Sequence, residues 1–323
     1  MPTNETPTQS SGPAKLDHFV SVEGTEFVVD GSPFAFAGTN NDMLVRAPED
    51  YVDRVFSEAS RLGLTAMRTW TFGGTCYVGD CRGENLILHP EPGTYSEAAF
   101  RKLDYAIDRA NEYGVRLVLP LVNNWDGHLS VNDFVAWSDT ATERDQFYTD
   151  PECRALFEDY VERVLTRENT INGREYREDP GILMWELANE PDLEDNDGST
   201  EIVQGWIEEM GAHVKSVDDN HLLSTGEIGF YDAARREDDE RDRLYVGLAG
   251  TDYIRNHEPD VIDAAGFHLQ VVNMGLSLSE AERWIADHAR DAHEVLDKPT
   301  YCGEYSPSGS WQDEILTVDR RET

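Results

Sequence analysis

The stretch Gly181-Ile-Leu-Met-Trp-Glu-Leu-Ala-Asn-Glu-Pro191 decides how the rest of the chain is read. Its first residues are largely apolar, and the run ends at Asn189-Glu190 before a proline. A near-continuous apolar run is what a strand buried on both faces of a parallel sheet requires. A carboxylate at the end of such a strand sits at the rim of its sheet. A second segment of the same form, Lys298-Pro-Thr-Tyr-Cys-Gly-Glu304-Tyr305, ends at Glu304.

Outward from these two segments, strand-like runs alternate with helix-length stretches. The strand candidates are Phe34–Thr39, Ala66–Trp70, Arg116–Val122, Gly181–Glu190, Leu222–Gly226, Ala264–Gln270 and Pro299–Tyr305. Between them lie the helix candidates Tyr51–Leu62, Glu97–Tyr113, Pro151–Arg167, Thr200–Val217 and Ser279–Leu296. That alternation specifies parallel βα units. Phe19–Val22 and Glu26–Val29, flanking Glu23-Gly24-Thr25, form an opening hairpin pattern. A doubly wound sheet would alternate in the same way. Two features favour a barrel: no glycine-rich phosphate loop follows the first strand, and polar residues end many different strands. Examples are Asn40, Arg68, Asn123, Asn189 with Glu190, His268 and Glu304. Barrel enzymes assemble their sites at that rim. The expectation is a (β/α)8 TIM-type barrel at 18–323, with an N-terminal β-hairpin and a disordered tail over 1–17.

Composition narrows the partners. The 323 residues carry 64 acidic and 27 basic side chains, a formal charge of -37, with only four lysines: Lys15, Lys102, Lys215 and Lys298. An acidic surface repels itself at low ionic strength. In molar salt the Debye length falls to about 3 Å and the repulsion is screened. The charge, spread along the chain, therefore reads as adaptation to high salt. Its sign argues against nucleic acid as a partner. No membrane span or export signal is visible. That leaves the cellular location open, and nothing specifies an oligomeric state. Cys76, Cys81, Cys153 and Cys302 have no metal-ligand spacing. Cys76 and Cys81 are close enough to bridge, and free thiols fit equally. Asp192–Gly198 has calcium-loop composition, but Leu193 stands at a ligand position, so it reads as an acidic loop. Glu237–Arg243 reads as a solvated charge run.

Glu190 and Glu304 lie 114 positions apart, so only separate strand ends can bring them together. Hydrolysis of a glycosidic bond with retention needs two carboxyl groups roughly 5–5.5 Å apart. Trp185-Glu-Leu-Ala-Asn-Glu-Pro191 resembles the acid/base strand of glycoside hydrolase family 5 in clan A. Arg68-Thr-Trp70, Asn123-Asn-Trp125-Asp126, Phe147-Tyr-Thr-Asp-Pro151, Arg167-Glu-Asn169 and Gly250-Thr-Asp-Tyr-Ile254 resemble segments of its endo-β-1,4-mannanase branch, in consistent order from about residue 19 to 306. The resemblance implies that Glu190 is the acid/base, Glu304 the nucleophile and Asn189 a partner of the substrate 2-hydroxyl. It also implies that Arg68 and His268 line the cleavage subsite. Its chemistry requires no metal or organic cofactor. The implied substrate is β-mannan or a related polysaccharide or oligosaccharide; alternatives are β-1,4-glucan cleavage or carbohydrate binding by an impaired site.

Residue chemistry adds detail. A nearby Arg68 would lower the pKa of Glu304, while burial and the neighbouring carboxylate would raise that of Glu190. Glu186, four positions before Glu190, falls on the same strand face, deeper in the barrel, as a structural partner for Arg68. Trp125 is a candidate sugar platform. The sequence departs from the family pattern twice. Gln270 stands two residues after His268, where the family has a tyrosine bonded to the nucleophile; it is a candidate binding residue. Only 19 residues follow Glu304, with Trp311 too close to supply the family's strand-eight tryptophan. The barrel is therefore expected to be truncated after strand seven.

Overall fold

The computed structural model describes residues 16–127, 129–194, 199–232 and 249–307. Most of the expected tail, the Glu237–Arg243 run, Trp311 and the later part of Asp192–Gly198 lie outside the described residues.

Three short antiparallel strands come first: β1 (Ser21–Glu23), β2 (Glu26–Val29) and β3 (Ser32–Pro33). The third was not expected. It explains why the run Phe34–Thr39 does not enter the barrel whole: the Phe34 N–H pairs with the Phe27 carbonyl at 2.7 Å. The first barrel strand, β4, therefore covers only Gly38–Asn40. The hairpin caps the bottom of the barrel, where Val20 and Phe27 pack with Val118, Leu183 and Tyr301. Burying each such side chain contributes about 1.5–3 kcal/mol.

Helix α1 (Glu49–Arg61) leads to β5 (Ala66–Arg68), α2 (Glu97–Tyr113) to β6 (Arg116–Pro120), and α4 (Pro151–Leu165) to β7 (Ile182–Glu186). The short α3 (Val131–Trp137) precedes α4. Helix α5 (Glu201–Val217) then leads to β8 (Leu222–Ser224). Local chemistry sets these boundaries. Ser96 caps α2 by accepting from the Ala99 N–H, and Gly114, at φ 70°, ends it in a left-handed conformation. Asp150 caps α4 ahead of Pro151. Both faces of β6 and β7 are buried, as their apolar runs predict.

Strands β4 to β8 form a parallel sheet in chain order. After α6 (Tyr253–His257), β9 (Ala265–Gln270) and β10 (Thr300–Ser306) pair in parallel around α7 (Leu278–Glu294). The Asp263 N–H reaches the Leu223 carbonyl at 2.8 Å and joins this pair to β8. At the other end, the Asn40 amide donates to the Gly303 carbonyl at 2.6 Å and links β4 to β10. Seven barrel strands are thus present among the described residues. A cleft of about 1300 Å³ follows the β4 and β10 edges from the hairpin to the rim. No described helix is long and apolar enough to cross a membrane.

The largest departure from the sequence reading is at the end of β7. The regular strand stops at Glu186, and beyond it pairing continues irregularly, with Asn189 bridging Asn123 in parallel. Glu190 adopts φ 56°, a left-handed conformation that costs a non-glycine residue about 1–3 kcal/mol. Its N–H is held by the Gly226 carbonyl at 2.8 Å, and the Asn189 N–H by the Val122 carbonyl at 2.7 Å.

Candidate active site

Arg68, at the end of β5 and 4% exposed, organises the rim. Its Nε donates to Glu186 Oε2 at 2.8 Å, one terminal nitrogen to Glu304 Oε1 at 2.7 Å, and the other to Asn189 Oδ1 at 2.8 Å. Burial acts to lower its pKa, but the charges of Glu186 and Glu304 outweigh it and hold the guanidinium protonated. Glu186 is fully buried, and its other oxygen accepts from the Tyr301 hydroxyl at 2.7 Å.

Asn189 is oriented from both sides. Its oxygen accepts from Arg68, and its amide donates to Asn123 Oδ1 at 2.9 Å. That leaves no ambiguity about which way the amide faces.

Glu190 accepts at both oxygens: His268 Nδ1 lies 2.7 Å from Oε1, and the Trp125 Nε1–H donates to Oε2 at 2.6 Å. Burial pushes this carboxyl up, but the bond and charge of His268, with the Trp125 bond, outweigh it. The net shift is downward. This corrects the expectation of a raised pKa: hydrogen bonds to the charged form win over desolvation.

Glu304 reaches the rim through a bulge. The β9–β10 register shifts between Cys302 and Glu304, so Glu304 lies opposite His268, and bulges of this kind re-aim side chains. Gly303 permits it, because a Cβ there would lie 2.9 Å from His268 Nε2. Glu304 Oε2 accepts from the Gln270 amide at 2.8 Å.

The fold thus gathers Arg68, Trp125, Asn189, Glu190, His268, Gln270 and Glu304 at one rim. Trp125 is 49% exposed, with its ring edge against Glu190. His268 is only 1% exposed. It meets the cleft through Glu190 and does not line it, unlike Arg68, Trp125, Asn189 and Gln270. Sequence reasoning missed Tyr301 as the clamp on Glu186, and Asn40 as a fourth acceptor for Arg68 at 3.3 Å. Asn40 was visible only as a polar strand end, and Tyr301 only as an alternating position on β10.

Single ligand atoms of Glu190, His268 and Glu304 lie within 4.8 Å of one another. Two carboxylates and an imidazole at that spacing could also hold a divalent cation. All four carboxylate oxygens, however, already accept hydrogen bonds from protein groups.

Residues 17–295 match the family described as GH family 5 beta-mannosidase-like. A mannan endo-1,4-beta-mannosidase 1 of Oryza sativa is 37% identical over 319 residues, covering 94% of this chain and 72% of that protein. The chain belongs to glycoside hydrolase family 5. Within the family it is also similar to a putative mannan endo-1,4-beta-mannosidase 4 of Arabidopsis thaliana, at 36% identity over 90% of this chain and 74% of that one. Among solved structures, an endo-1,4-beta-mannanase of Rhizomucor miehei superposes with a TM-score of 0.74 at 33% identity, covering 87% of this chain and 80% of its own. A hyperthermostable endo-1,4-beta-D-mannanase of Thermotoga petrophila gives 0.74 at 30% identity, over 89% and 84%. The likeness to these solved structures supports the TIM-barrel fold. Cys76 and Cys81, left open by sequence, form a disulfide in the loop after β5.

Proposed function

We propose that the chain is a retaining endo-β-1,4-mannanase, with Glu304 as nucleophile and Glu190 as acid/base. The observation that carries this reading is the approach of carboxylate oxygens of the two residues to within 4.8 Å. Double displacement uses carboxyl groups roughly 5–5.5 Å apart, whereas inversion needs roughly 6.5–9.5 Å to admit a water. The names of the relatives support mannan as the polymer.

In the first step Glu304 attacks the anomeric carbon and forms a glycosyl ester. The glycosidic C–O bond breaks, and the leaving oxygen takes a proton from Glu190. In the second step Glu190 removes a proton from water, which attacks the same carbon and releases Glu304. Arg68 and Gln270 fix one Glu304 oxygen each, so the carboxylate is aimed before substrate arrives. Without substrate, Glu190 is an acceptor for His268 and Trp125. A leaving oxygen at Oε2 displaces the indole, removes one bond that favours the charged form, and lets burial raise the carboxyl toward its acid role. Asn189, locked by Arg68 and Asn123, presents its remaining amide hydrogen to the sugar 2-hydroxyl.

The charge of -37 supports molar salt as the working medium. The test is therefore reducing-sugar release from galactomannan, glucomannan and carboxymethylcellulose in molar salt, with the anomeric product followed by proton NMR. Mannan cleavage with a β-anomer as first product is expected, and Glu304→Ala should abolish it. Preferential cleavage of the cellulose derivative, or an inverted product, overturns the proposal. Binding without release, unchanged in Glu304→Ala, would leave a carbohydrate-binding protein.

A further inference from the structure

Strands β8 and β9 share no ladder, and the segment 225–228 spans the gap between them. The Thr225 carbonyl accepts from the Ala188 N–H at 3.3 Å, Gly226 from Glu190 at 2.8 Å, and Ile228 from His268 at 3.0 Å. One short piece of backbone therefore holds both members of the Glu190–His268 pair. It has little stiffness of its own. Gly226 and Gly229 adopt φ 75° and 103°, and glycine has the most conformational freedom to lose.

Buried side chains supply the missing stiffness. His257 Nδ1 faces the Tyr253 carbonyl at 2.7 Å and so carries the ring hydrogen. Its Nε2 then accepts from the Thr225 hydroxyl at 2.9 Å. His288 Nε2 meets the Gly229 carbonyl at 2.7 Å. Between these anchors stands Glu227, fully buried, with Oε2 accepting from the Asn256 amide at 2.7 Å. Glu227 is not among the cleft-lining residues, so substrate contact does not explain it. A buried carboxyl is costly and persists only where it is paired.

We infer that Glu227 is a positioning residue. Seated on Asn256 beneath the segment, it fixes the Gly226 and Ile228 carbonyls, and through them the geometry in which His268 hydrogen-bonds Glu190. Its importance to turnover rests on the reading of Glu190 as acid/base; its effect on the pair does not. Glu227 Oε1 and Asn256 Oδ1 are both buried without a hydrogen-bond partner among the described residues. His257 Nδ1 lies 3.2 Å from Oε1, but its hydrogen points to Tyr253. Two orphaned acceptors in one pair call for a proton, and burial pushes Glu227 up to about 8, where it carries one at neutral pH. Glutamine would supply such a donor permanently.

The test compares Glu227→Ala, Glu227→Gln and Asn256→Ala in the full chain. The histidines are 15N-labelled, and His268 is assigned by its loss in His268→Asn. For Glu227→Ala, the His268 ring signals should move and their pH titration shift. On galactomannan, kcat should fall about 10- to 100-fold with KM changed less than about threefold, as for a small misplacement of reacting groups. Asn256→Ala should reproduce the shift, which also covers the case of an alanine variant that does not fold. Glu227→Gln should restore both readouts. Wild-type His268 signals and pH profile in folded Glu227→Ala or Asn256→Ala would overturn the proposal, as would a Gln variant as impaired as Ala. If the wild type releases no sugar, the mannanase reading falls alone, and the His268 signals still decide the role of Glu227.

Discussion

Gln270 donates its side-chain amide to Glu304 Oε2 at 2.8 Å, leaving the other oxygen to Arg68 at 2.7 Å. The carboxylate is therefore gripped at both oxygens by donors from different strands, β5 and β9. The amide does what a hydroxyl at this position would do: it orients the carboxylate without adding charge.

Gln270→Ala removes one of the two grips. We expect kcat to fall about tenfold with KM little changed, the loss of about 1.4 kcal/mol that one hydrogen bond from a neutral donor to a carboxylate can supply. Steady-state kinetics on galactomannan checks this; unchanged kcat would remove Gln270 from the site.

Glu186→Gln leaves the buried Arg68 without a neutralising charge at its Nε. Breaking one partner of a buried pair costs about 3–5 kcal/mol, and less here because glutamine keeps an acceptor. The expected result is a lower denaturant midpoint with kcat within about threefold. Abolished turnover in a protein with wild-type midpoint would show that Glu186 acts in the chemistry.

Trp125→Phe keeps an aromatic face but removes the Nε1–H that bonds Glu190 Oε2. That bond helps hold the Glu190 carboxyl below its usual range, so its loss raises the carboxyl. The acid form of the free enzyme then persists to higher pH, and the alkaline limb of the kcat/KM profile should move up. A limb that stays in place, or moves down, contradicts the assignment.

Glu227 links stability to pH. Burial, aided by Asp252 and opposed by the Asn256 bond, raises it to about 8 in the folded protein, against about 4.3 in an unfolded chain. Between those values the native state holds a proton that the unfolded state has released. Its contribution is fully present below about pH 4.3 and is lost as pH rises through about 8, at no more than about 1.4 kcal/mol per pH unit. Calorimetry across this range should show a slope that is missing in Glu227→Gln. Equal slopes in the two proteins would mean that Glu227 is charged in the fold.

Much of this was legible in the sequence, and the reason differs by element. The runs at Arg116–Val122 and Gly181–Leu187 are apolar because both faces are buried, so their strands could be read directly. Helix α3 was not read from the sequence: seven residues are too short to show a period, and its start rests on the Ser130–Asp133 capping box alone. What could not be read depends on pairing between distant segments. The bulge before Glu304 exists because Gly303 passes close to His268, 35 positions earlier. The left-handed turn at Glu190 exists because Gly226 supplies a carbonyl at the right height. Glu227, between glycines, has the local pattern of a solvated loop acid, and only the packing of α6 against the segment makes it a buried one. The direction of the Glu190 shift was misread for a similar reason: burial is suggested by an apolar run, but a specific donor is not.

Arg68 reaches Asn40 on β4, Glu186 on β7, Asn189 beyond it and Glu304 on β10. The first and last of the described barrel strands therefore meet through the same guanidinium that aims the proposed nucleophile. Durability and turnover share one side chain, so selection cannot trade one against the other at this position. Variants that outlast the parent under heat or low salt should carry their changes elsewhere, with Arg68 untouched.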